Sequence, residues 1–318
     1  MSRNPADGSG RWLATAEELG LLQEFNGRAI AEVGHAGYLH PGDIVHRMFN
    51  GCRRYEVSRL VHIWEDGAGI TAWSMLQPGP NSFDLQVRPD KRGGDLEVSL
   101  LLWSESALLR LLAEIEKPVA TVVIDVFADD AARIEAAAEA GWQNSHDSRY
   151  LTRRSTAGPP VISLPAGYAM RTARRDEAAA IGALHGAAFG SAWLPGEYVT
   201  LMGSFGYRPE LEWLAVAPDG SLAGFTETWH DAISGRGLFE PVGVHPDHRG
   251  RGVGRALIAR GLAHMAEAGL QTATVCFAGD NAASRALYLG AGFEIAHEIM
   301  DYSKPTPPRR RVPLRVEP

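Results

Sequence analysis

The chain has 318 residues, of which 45% are hydrophobic and 22% are charged, and its formal net charge is -7. A chain of this length and apolar content can bury more than one domain core, and its negative charge argues against a general nucleic-acid binder. Its only cysteines are Cys52 and Cys276, and no secretory signal or membrane-spanning apolar run is recognisable, so we expect a cytoplasmic protein without a membrane partner.

The first half is predicted to begin with a polar stretch, residues 1–10, followed by two helices and at least three strands. The helices are expected at 20–34 and 43–51, and the strands at 58–67, at 69–79 and in the run that leads into Val87. Three histidines in this region, His35, His40 and His46, lack the spacing of a usual zinc site, so no metal site is predicted.

Two short motifs occur twice and indicate an internal repeat. The residues VRPDKRG at 87–93 match VHPDHRG at 244–250, and Ala140-Gly141-Trp142 matches Ala291-Gly292-Phe293. We therefore predict two diverged units. Their bounds are 1–154 for the first unit, 155–166 for a linker rich in Gly, Pro and Ser, 167–304 for the second unit and 305–318 for a Pro/Arg-rich tail.

The second copy of the first motif leads into a glycine-rich loop and then into an amphipathic helix. A strand through Val242 and Val244 ends at Pro246-Asp247, and the loop that follows reads RGRGVG from Arg249 to Gly254. Glycines allow successive backbone N–H groups to converge on one point, and the positive end of the helix is directed to the same place. The loop can therefore bind a diphosphate, although a tight structural turn would have the same composition.

This loop and the residues after it resemble the GNAT superfamily of N-acetyltransferases. The match in the loop is Arg-x-x-Gly-x-Gly, with Arg249, Gly252 and Gly254. Downstream, a strand at 272–277 precedes Asn281 as a helix N-cap, and Tyr288 follows two helical turns later on the same face. The resemblance covers residues 167–302 and implies an α/β fold with a mixed sheet, in two tandem GNAT-like units of which the first is degenerate. Such a tandem arrangement is similar to that of the mycothiol synthase family, whose members acetylate a small amine.

The resemblance also implies acetyl-CoA as the cofactor and assigns residues to it. The loop would bind the diphosphate, the N–H groups of the preceding strand would bind the pantetheine arm and polarise the thioester, and Asn281 would support the geometry. The residues concerned are Val242, Val244, Arg249, Gly250, Arg251, Gly252, Val253, Gly254, Arg255 and Asn281.

Transfer to an amine needs a base and an acid. An amine with the pKa of lysine costs roughly 4.6 kcal/mol to deprotonate at pH 7, and Glu240 is the predicted base that lowers this cost, unless it is an ordinary surface glutamate. Tyr288 is the predicted acid for the departing sulfur, with packing as the alternative role. On this basis Glu240→Gln is expected to lose rate mainly at acidic pH. Pro241 indicates a bulge, and Cys276 is interpreted as a buried structural thiol.

The predicted function is acetyl-CoA-dependent N-acetylation of a primary amine on a small molecule, in the second unit. The alternatives are a non-enzymatic acyl-CoA-binding regulator and an acetylase of protein N-termini or lysines. The acceptor is expected near the aromatic and polar residues Trp193, Tyr198, Phe205, Tyr207, Trp229, His230 and Asp231, and the oligomeric state is not predicted.

The first unit is predicted not to bind acetyl-CoA. At the constant spacing of the first motif, Asp95 and Glu97 stand where the second unit has Gly252 and Gly254, and two carboxylates would repel a diphosphate. We therefore expect one CoA per chain, and none for a fragment that ends at Arg154.

Overall fold

The computed structural model describes residues 10–306, so the polar stretch 1–9 and the tail from residue 307 lie outside the described residues. The first half contains β1 (Gly10–Trp12), α1 (Leu19–Val33), α2 (Pro41–His46), α3 (Val57–Leu60), β2 (Val61–Asp66), β3 (Gly69–Gln77), β4 (Ser82–Val87), α4 (Gly94–Glu114), β5 (Thr121–Phe127), α5 (Ala131–Glu139) and β6 (Gln143–Ser155). The second half contains β7 (Ala169–Thr172), α6 (Ala178–Phe189), α7 (Glu197–Gly203), β8 (Glu212–Val216), β9 (Leu222–Asp231), β10 (Arg236–Val244), α8 (Val253–Glu267), β11 (Thr272–Ala278), α9 (Ala282–Gly290) and β12 (Glu294–Pro305). Apart from α3 the two halves have the same order of elements, which confirms the predicted mixed α/β fold.

Two predicted elements of the first half differ in detail. The helix predicted at 43–51 begins at Pro41 and continues after α2 as a π-helical turn over Arg47–Gly51. The strand predicted at 58–67 begins only at Val61, because residues 57–60 form α3. Val57 and Leu60 are both buried, and a spacing of three residues places two side chains on one face of a helix but on opposite faces of a strand.

The described strands form one continuous sheet in the order β1-β2-β3-β4-β5-β12-β6-β11-β10-β9-β8-β7. In this order the last strand of each half lies beside the other half. Strand β12 pairs antiparallel with β5, from Ile299 opposite Phe127 to Pro305 opposite Thr121. Strand β6 pairs antiparallel with β11, from Thr272 opposite Ser155 to Ala278 opposite Arg149. The two halves therefore exchange their final strands.

This exchange affects the predicted boundary between the units. Strand β6 extends to Ser155, and a chain that ends at Arg154 would lose β12 from the edge of β5. An unpaired edge and an exposed sheet face make such a fragment a poor candidate for independent folding. Binding measurements therefore need the whole chain.

Strands β10 and β11 are joined only at one end. Their parallel pairing runs from Arg236 opposite Thr272 to Leu238 opposite Thr274 and stops there. On the other side of β10, the register with β9 shifts between Phe239 and Val242, which is the bulge predicted at Pro241. Beyond Leu238 the two strands separate, and one edge of β10 faces an opening in the sheet.

The two faces of β10 contact different parts of the chain. Phe239 packs in a core with residues of α8, β11 and α9, including Ile258, Val275 and Tyr288. Leu238, on the opposite face, packs with Trp229 of β9 and with Val45 of α2. A helix of the first half thus covers the strands of the second half next to the opening. No helix within residues 10–306 is both long and apolar enough to cross a membrane.

Candidate active site

The opening between β10 and β11 presents free backbone donors. The N–H of His245 donates to the carbonyl oxygen of Ala223, next to β9, at 2.9 Å. Successive residues of a strand direct their N–H groups to opposite edges, so the N–H groups of Val244 and Val242 point to the edge that faces β11. Within residues 10–306 no strand pairs with this edge beyond Leu238, and both donors are available to a bound amide or carbonyl group.

The glycine loop lies at the end of β10 and forms the start of α8. Gly250 and Gly252 have φ angles of 74° and 85°, a left-handed conformation that favours glycine. Gly252 is the N-cap of the 15-residue helix α8, and a Cβ built on either glycine would meet no atom within 4 Å. The backbone N–H groups at the start of α8 therefore face open space, as an anion site at a helix N-terminus requires.

The side chains around the loop divide into cationic and apolar groups. Arg251 and Arg255 are exposed, whereas the guanidinium of Arg249 donates to the carbonyl oxygen of Ala188 at 3.0 Å. Val253 is buried in the core, so it can offer a ligand only its N–H. A Cβ on Gly254 would lie at 3.4 Å from Leu287 and 3.5 Å from Val244, so a larger side chain would fill the gap between α8 and β10.

Asn281 and Tyr288 lie on α9, on the far side of the opening. Asn281 is the N-cap of this helix, and its side-chain oxygen accepts a hydrogen bond from the N–H of Ser284 at 3.0 Å. Tyr288 is 5% exposed and packs between the rings of Phe277 and Phe293, at centroid distances of 6.1 and 6.2 Å. Its hydroxyl has no hydrogen-bond partner in the described part of the chain. Burial raises the pKa of Tyr288, and the nearby Glu240 raises it further, so the phenol stays protonated.

Glu240 lies in a cavity rather than on the surface. Its side chain is 29% exposed, and Oε1 lies 3.4 Å from Nε2 of His46, at the end of α2. Burial raises the pKa of Glu240 to about 8, with a further contribution from the carboxylate of Asp43, while Arg47 acts in the opposite direction. A carboxyl group with such a pKa exchanges protons near neutral pH, which is what a general acid or base needs.

The cavity around Glu240 has a volume of about 260 Å³ and lies between the two halves of the chain. Its titratable wall residues from the first half are His35, Tyr38, Asp43, His46, Arg47, Asp125 and Arg149, and those from the second half are Glu240 and Cys276. The thiol of Cys276 has its pKa raised to about 12 by burial, so it is not a ready nucleophile.

The charges in this cavity favour a cationic ligand. Arg47 is already paired with Asp84 at 2.6 Å, and Arg149 is paired with Asp125 and with Asp301. Both guanidinium groups are thus neutralised within the protein, while the carboxyls of Asp43 and Glu240 lie near one another without a bound cation among the described residues. An ammonium group entering the cavity would meet these two carboxyls and would favour their ionised form.

Sequence reasoning missed the contribution of the first half to this cavity. Two local signals were available. Asp125 interrupts the apolar strand TVVIDVF, and Asp43 and Arg47 lie one helical turn apart on a helix that is otherwise buried. Charged residues at such positions need partners, which the sequence does not locate.

The residues predicted to surround the acceptor do not line the cavity around Glu240. Tyr198 and Tyr207 donate to the buried carboxylate of Glu212 at 2.6 and 2.5 Å, and Trp193 Nε1 donates to His185 at 2.9 Å. Trp229 Nε1 donates to the carbonyl oxygen of Glu240 at 2.7 Å and so holds the strand, not the ligand. The cavity is lined by other residues.

Comparison with known proteins identifies the family to which the chain belongs. A model of the acetyltransferase (GNAT) family matches residues 178–293. The mycothiol acetyltransferase of Thermobispora bispora is 31% identical over 245 residues, which are 72% of this chain and 78% of that protein. The chain belongs to the GNAT acetyltransferase family. It is thus a member of a family of acyltransferase enzymes.

Other GNAT proteins match shorter parts of the sequence. The mycothiol acetyltransferase of Kineococcus radiotolerans is 34% identical over 177 residues, 52% of this chain and 56% of that protein. That of Clavibacter michiganensis subsp. michiganensis is 34% identical over 146 residues, 44% of this chain and 47% of that protein. The aligned part of the chain thus spans about half the length of these two relatives.

Solved GNAT structures share the tandem architecture. A tandem GNAT protein from the clavulanic acid biosynthesis pathway superposes with a TM-score of 0.64 at 19% identity, over 95% of this chain and 99% of its own. A GCN5-related N-acetyltransferase from Sphaerobacter thermophilus superposes with a TM-score of 0.63 at 20% identity, over 94% and 96%. At these identities the likeness shows the fold alone.

The first GNAT unit has a shorter loop than the second. Helix α4 begins at Gly94, directly after Arg92 and Gly93, and its N-cap Gly93 has a φ of 81°. In structural terms Gly93, not Asp95, is therefore the counterpart of Gly252. The constant spacing used for the sequence comparison does not hold past Arg92, because the first loop is shorter.

A carboxylate of the protein itself occupies the anion position of the first unit. Glu97 is fully buried, accepts the N–H of Gly93 at 2.5 Å, and is paired with Arg92 at 3.2 Å and with Arg133. These cations hold the pKa of Glu97 low, at about 2, despite its burial. The start of α4 thus already has an internal anion.

Helices α5 and α9 correspond at a constant spacing of 151 residues, the spacing of the Ala140-Gly141-Trp142 and Ala291-Gly292-Phe293 motifs. Asp130 caps α5 by accepting the N–H of Arg133 at 3.1 Å, as Asn281 caps α9. Ala137, at the position that corresponds to Tyr288, is fully buried and has no hydroxyl. The first unit therefore lacks the counterpart of the proposed acid.

Proposed function

We propose that this protein transfers the acetyl group of acetyl-CoA to the primary amine of a small molecule, by direct attack in the second unit. The observation that carries the proposal is the position of Glu240. This carboxyl group, with its pKa raised to about 8, lies at the point where the opening between β10 and β11 meets the cavity between the units. Cofactor and acceptor could reach it from the two sides of the sheet.

The residues of the second unit fit acetyl-CoA. The left-handed glycines leave open space at the N-terminus of α8, and Arg251 and Arg255 add positive charge for a diphosphate. The N–H groups of Val242 and Val244 would bind the pantetheine arm and polarise the thioester carbonyl. When bound, acetyl-CoA supplies an activated acyl group with a thiolate leaving group.

The acceptor side fits a small primary amine. An ammonium group would enter among the carboxyls of the cavity, lose a proton to Glu240 and attack as the neutral amine. Glu240 with a pKa of about 8 is a closer match to an amine of pKa about 10.4 than an ordinary glutamate would be. A cavity of about 260 Å³ has room for a small molecule, and relatives named mycothiol acetyltransferase also support a small-molecule acceptor.

Tyr288 would complete the proton transfers. As the amine nitrogen bonds to the acyl carbon, the carbon–sulfur bond breaks and the sulfur takes a proton. The buried phenol stays protonated and its hydroxyl has no partner in residues 10–306, so it is free to donate to the departing sulfur. The ammonium group gives one proton to Glu240 before the attack. The second proton leaves the nitrogen as the amide forms and replaces, through solvent, the proton that Tyr288 gives to the sulfur. The products are then the amide, the CoA thiol and a protonated Glu240, which returns its proton to solvent.

The test is to incubate the whole chain with acetyl-CoA and a panel of small primary amines, and to follow thiol release. We expect release that depends on the amine and falls at least about a hundredfold in the Glu240→Gln variant. Thiol release that is the same with and without every amine, together with tight CoA binding, would instead support a non-enzymatic CoA-binding regulator.

A further inference from the structure

A second cavity, of about 310 Å³, lies next to the one that contains Glu240. The two cavities share the walls formed by His35 and Leu151. The charged or titratable residues that line the second cavity are His35, Asp129, Arg153, Arg236 and His297. Nothing in the proposed acetyl transfer uses this second space.

Two nitrogen atoms in its wall are buried without a partner. Within residues 10–306, Nδ1 of His35 and Nε of Arg236 have no hydrogen-bond acceptor and no contact with solvent. The side chain of His35 is only 6% exposed. A buried polar group without a partner costs on the order of 1–3 kcal/mol, so such pairs of orphaned donors need an explanation.

The positive charge in this cavity has no ion-pair partner among the described residues. Neither Arg236 nor Arg153 forms a salt bridge there, and the pKa of Arg236 is lowered by burial and by Arg153, while Asp231 acts in the opposite direction. Arg153 is exposed to solvent, whereas Arg236 is half-buried, keeps its charge at any working pH and would be stabilised by an adjacent anion.

The nearby carboxylates are already engaged. Asp129 is half exposed and bonded to His297 at 2.7 Å. Asp231 accepts the N–H groups of Ile233 and Ser234 at 3.2 and 3.0 Å in the turn after β9. Neither lies within ion-pair distance of Arg236, so an external anion would be its direct partner.

Strand β10 relates this cavity to the proposed base. Arg236, Leu238 and Glu240 alternate along β10 and lie on one face, the face covered by α2. Four residues of strand separate the Cα atoms of Arg236 and Glu240 by roughly 13 Å. One molecule of modest length could contact both.

We propose that the second cavity binds a carboxylate or phosphate group of the amine acceptor, with Arg236, Arg153 and His35 as its ligands. This rests on the proposed function. The acceptor is then a small molecule with an ammonium group at one end, among the carboxyls near Glu240, and an anionic group several bonds away, at Arg236. Such a division of charge would orient the amine and would discriminate against amines that lack an anionic group.

The first arm of the test measures anion binding without catalysis. Inorganic phosphate is titrated by calorimetry into the whole chain saturated with CoA, so that the glycine loop is already filled. We expect one saturable site, weakened about tenfold or more by Arg236→Gln. The exposed Arg110 of α4 provides the control, because Arg110→Gln should leave the affinity unchanged. No saturable binding, or equal binding by Arg236→Gln, would overturn the site.

The second arm compares acceptors of equal length, 6-aminohexanoate and hexylamine, in acetyl transfer. We expect kcat/KM to be about tenfold or more higher for the amino acid, and Arg236→Gln to abolish this preference while the value for hexylamine stays the same. Phosphate binding without any preference for the charged amine would show that the site takes a free anion and would refute its assignment to the acceptor. If neither amine is acetylated, the proposed function fails, whereas the phosphate titration still decides whether the anion site exists.

Discussion

The replacement Glu240→Gln gives the sharpest prediction, because the pKa of Glu240 fixes its pH dependence. With a pKa of about 8, about one tenth of this carboxyl group is ionised at pH 7 and about nine tenths at pH 9. Only the ionised form can accept a proton from the amine. The ratio of kcat/KM between wild type and variant should therefore rise about tenfold from pH 7 to pH 9.

This direction is opposite to the one expected from the sequence, which placed the loss at acidic pH. From the sequence, only the protonation of the amine could be taken into account, and an amine is harder to deprotonate in acid. Burial keeps Glu240 protonated in acid, so a base at this position is inactive there and its replacement has less effect. The ionisation of the amine affects both enzymes equally and cancels in the ratio.

The assay is thiol release at subsaturating amine, measured for both proteins between pH 6 and pH 9.5. Glu139→Gln, which changes an exposed carboxylate of α5, is the matched control and should follow wild type at each pH. A ratio for Glu240→Gln that stays constant, or that falls with rising pH, would refute the assignment of Glu240 as a base with a raised pKa.

The same pKa predicts an effect on stability. The folded protein keeps a proton on Glu240 up to about pH 8, whereas the unfolded chain loses it near the ordinary value of 4.5. The native state binds more protons in this window, so the free energy of unfolding falls as pH rises from about 4.5 to 8. Glu240→Gln removes this loss and should be the more stable protein at pH 9, by at most about 5 kcal/mol, but not at pH 4. Urea unfolding at both pH values measures the difference, and a variant that is no more stable at pH 9 would contradict it.

Three further replacements test the cofactor site and the first unit. Tyr288→Phe should lower kcat about tenfold to a hundredfold, measured by steady-state kinetics, with little change in the Kd of acetyl-CoA, measured by calorimetry. An unchanged kcat would show that Tyr288 is not the acid. Calorimetry should give one bound CoA per chain for wild type and none for Gly254→Val. The control is Gly290→Ala, at an open position with an ordinary φ, which should bind CoA as wild type does. A second equivalent site would mean that the first unit binds CoA. Gly254 serves better than Gly252 here, because a side chain at Gly252 would also strain the left-handed backbone. Glu97→Gln should lower the free energy of unfolding by about 3 kcal/mol in urea, because it leaves the buried Arg133 without an anion and Arg92 with Asp130 alone, and a stability equal to wild type would show that this ion cluster is not structural.

The local part of the candidate site could be predicted from the sequence. The glycine loop, the N-cap Asn281, the helix that carries Tyr288 and the bulge at Pro241 lie within a few residues of where the sequence indicated them. All of these features depend on short-range physics, namely φ preference, capping and helical spacing, which a stretch of ten to twenty residues contains in full. The repeat was also visible, because the motifs at 87–93 and 140–142 recur in the same order at 244–250 and 291–293.

Only the tertiary structure decided what surrounds Glu240. In sequence, β6 and β12 each resemble an ordinary last strand of its own unit. The alternation of apolar and polar residues in these strands does not distinguish pairing with β5 from pairing with β11. Local periodicity specifies which face of a strand is buried but not which partner lies at its edge. The exchange of these strands and the packing of α2 on β9 and β10 bring Asp43, His46 and Arg47 to Glu240, and with them the burial that raises its pKa. A pKa depends on every charge and every apolar group within several ångströms. Around Glu240 those groups come from positions nearly two hundred residues away in the chain. The sequence therefore identified the carboxylate, but only the folded chain set its pKa.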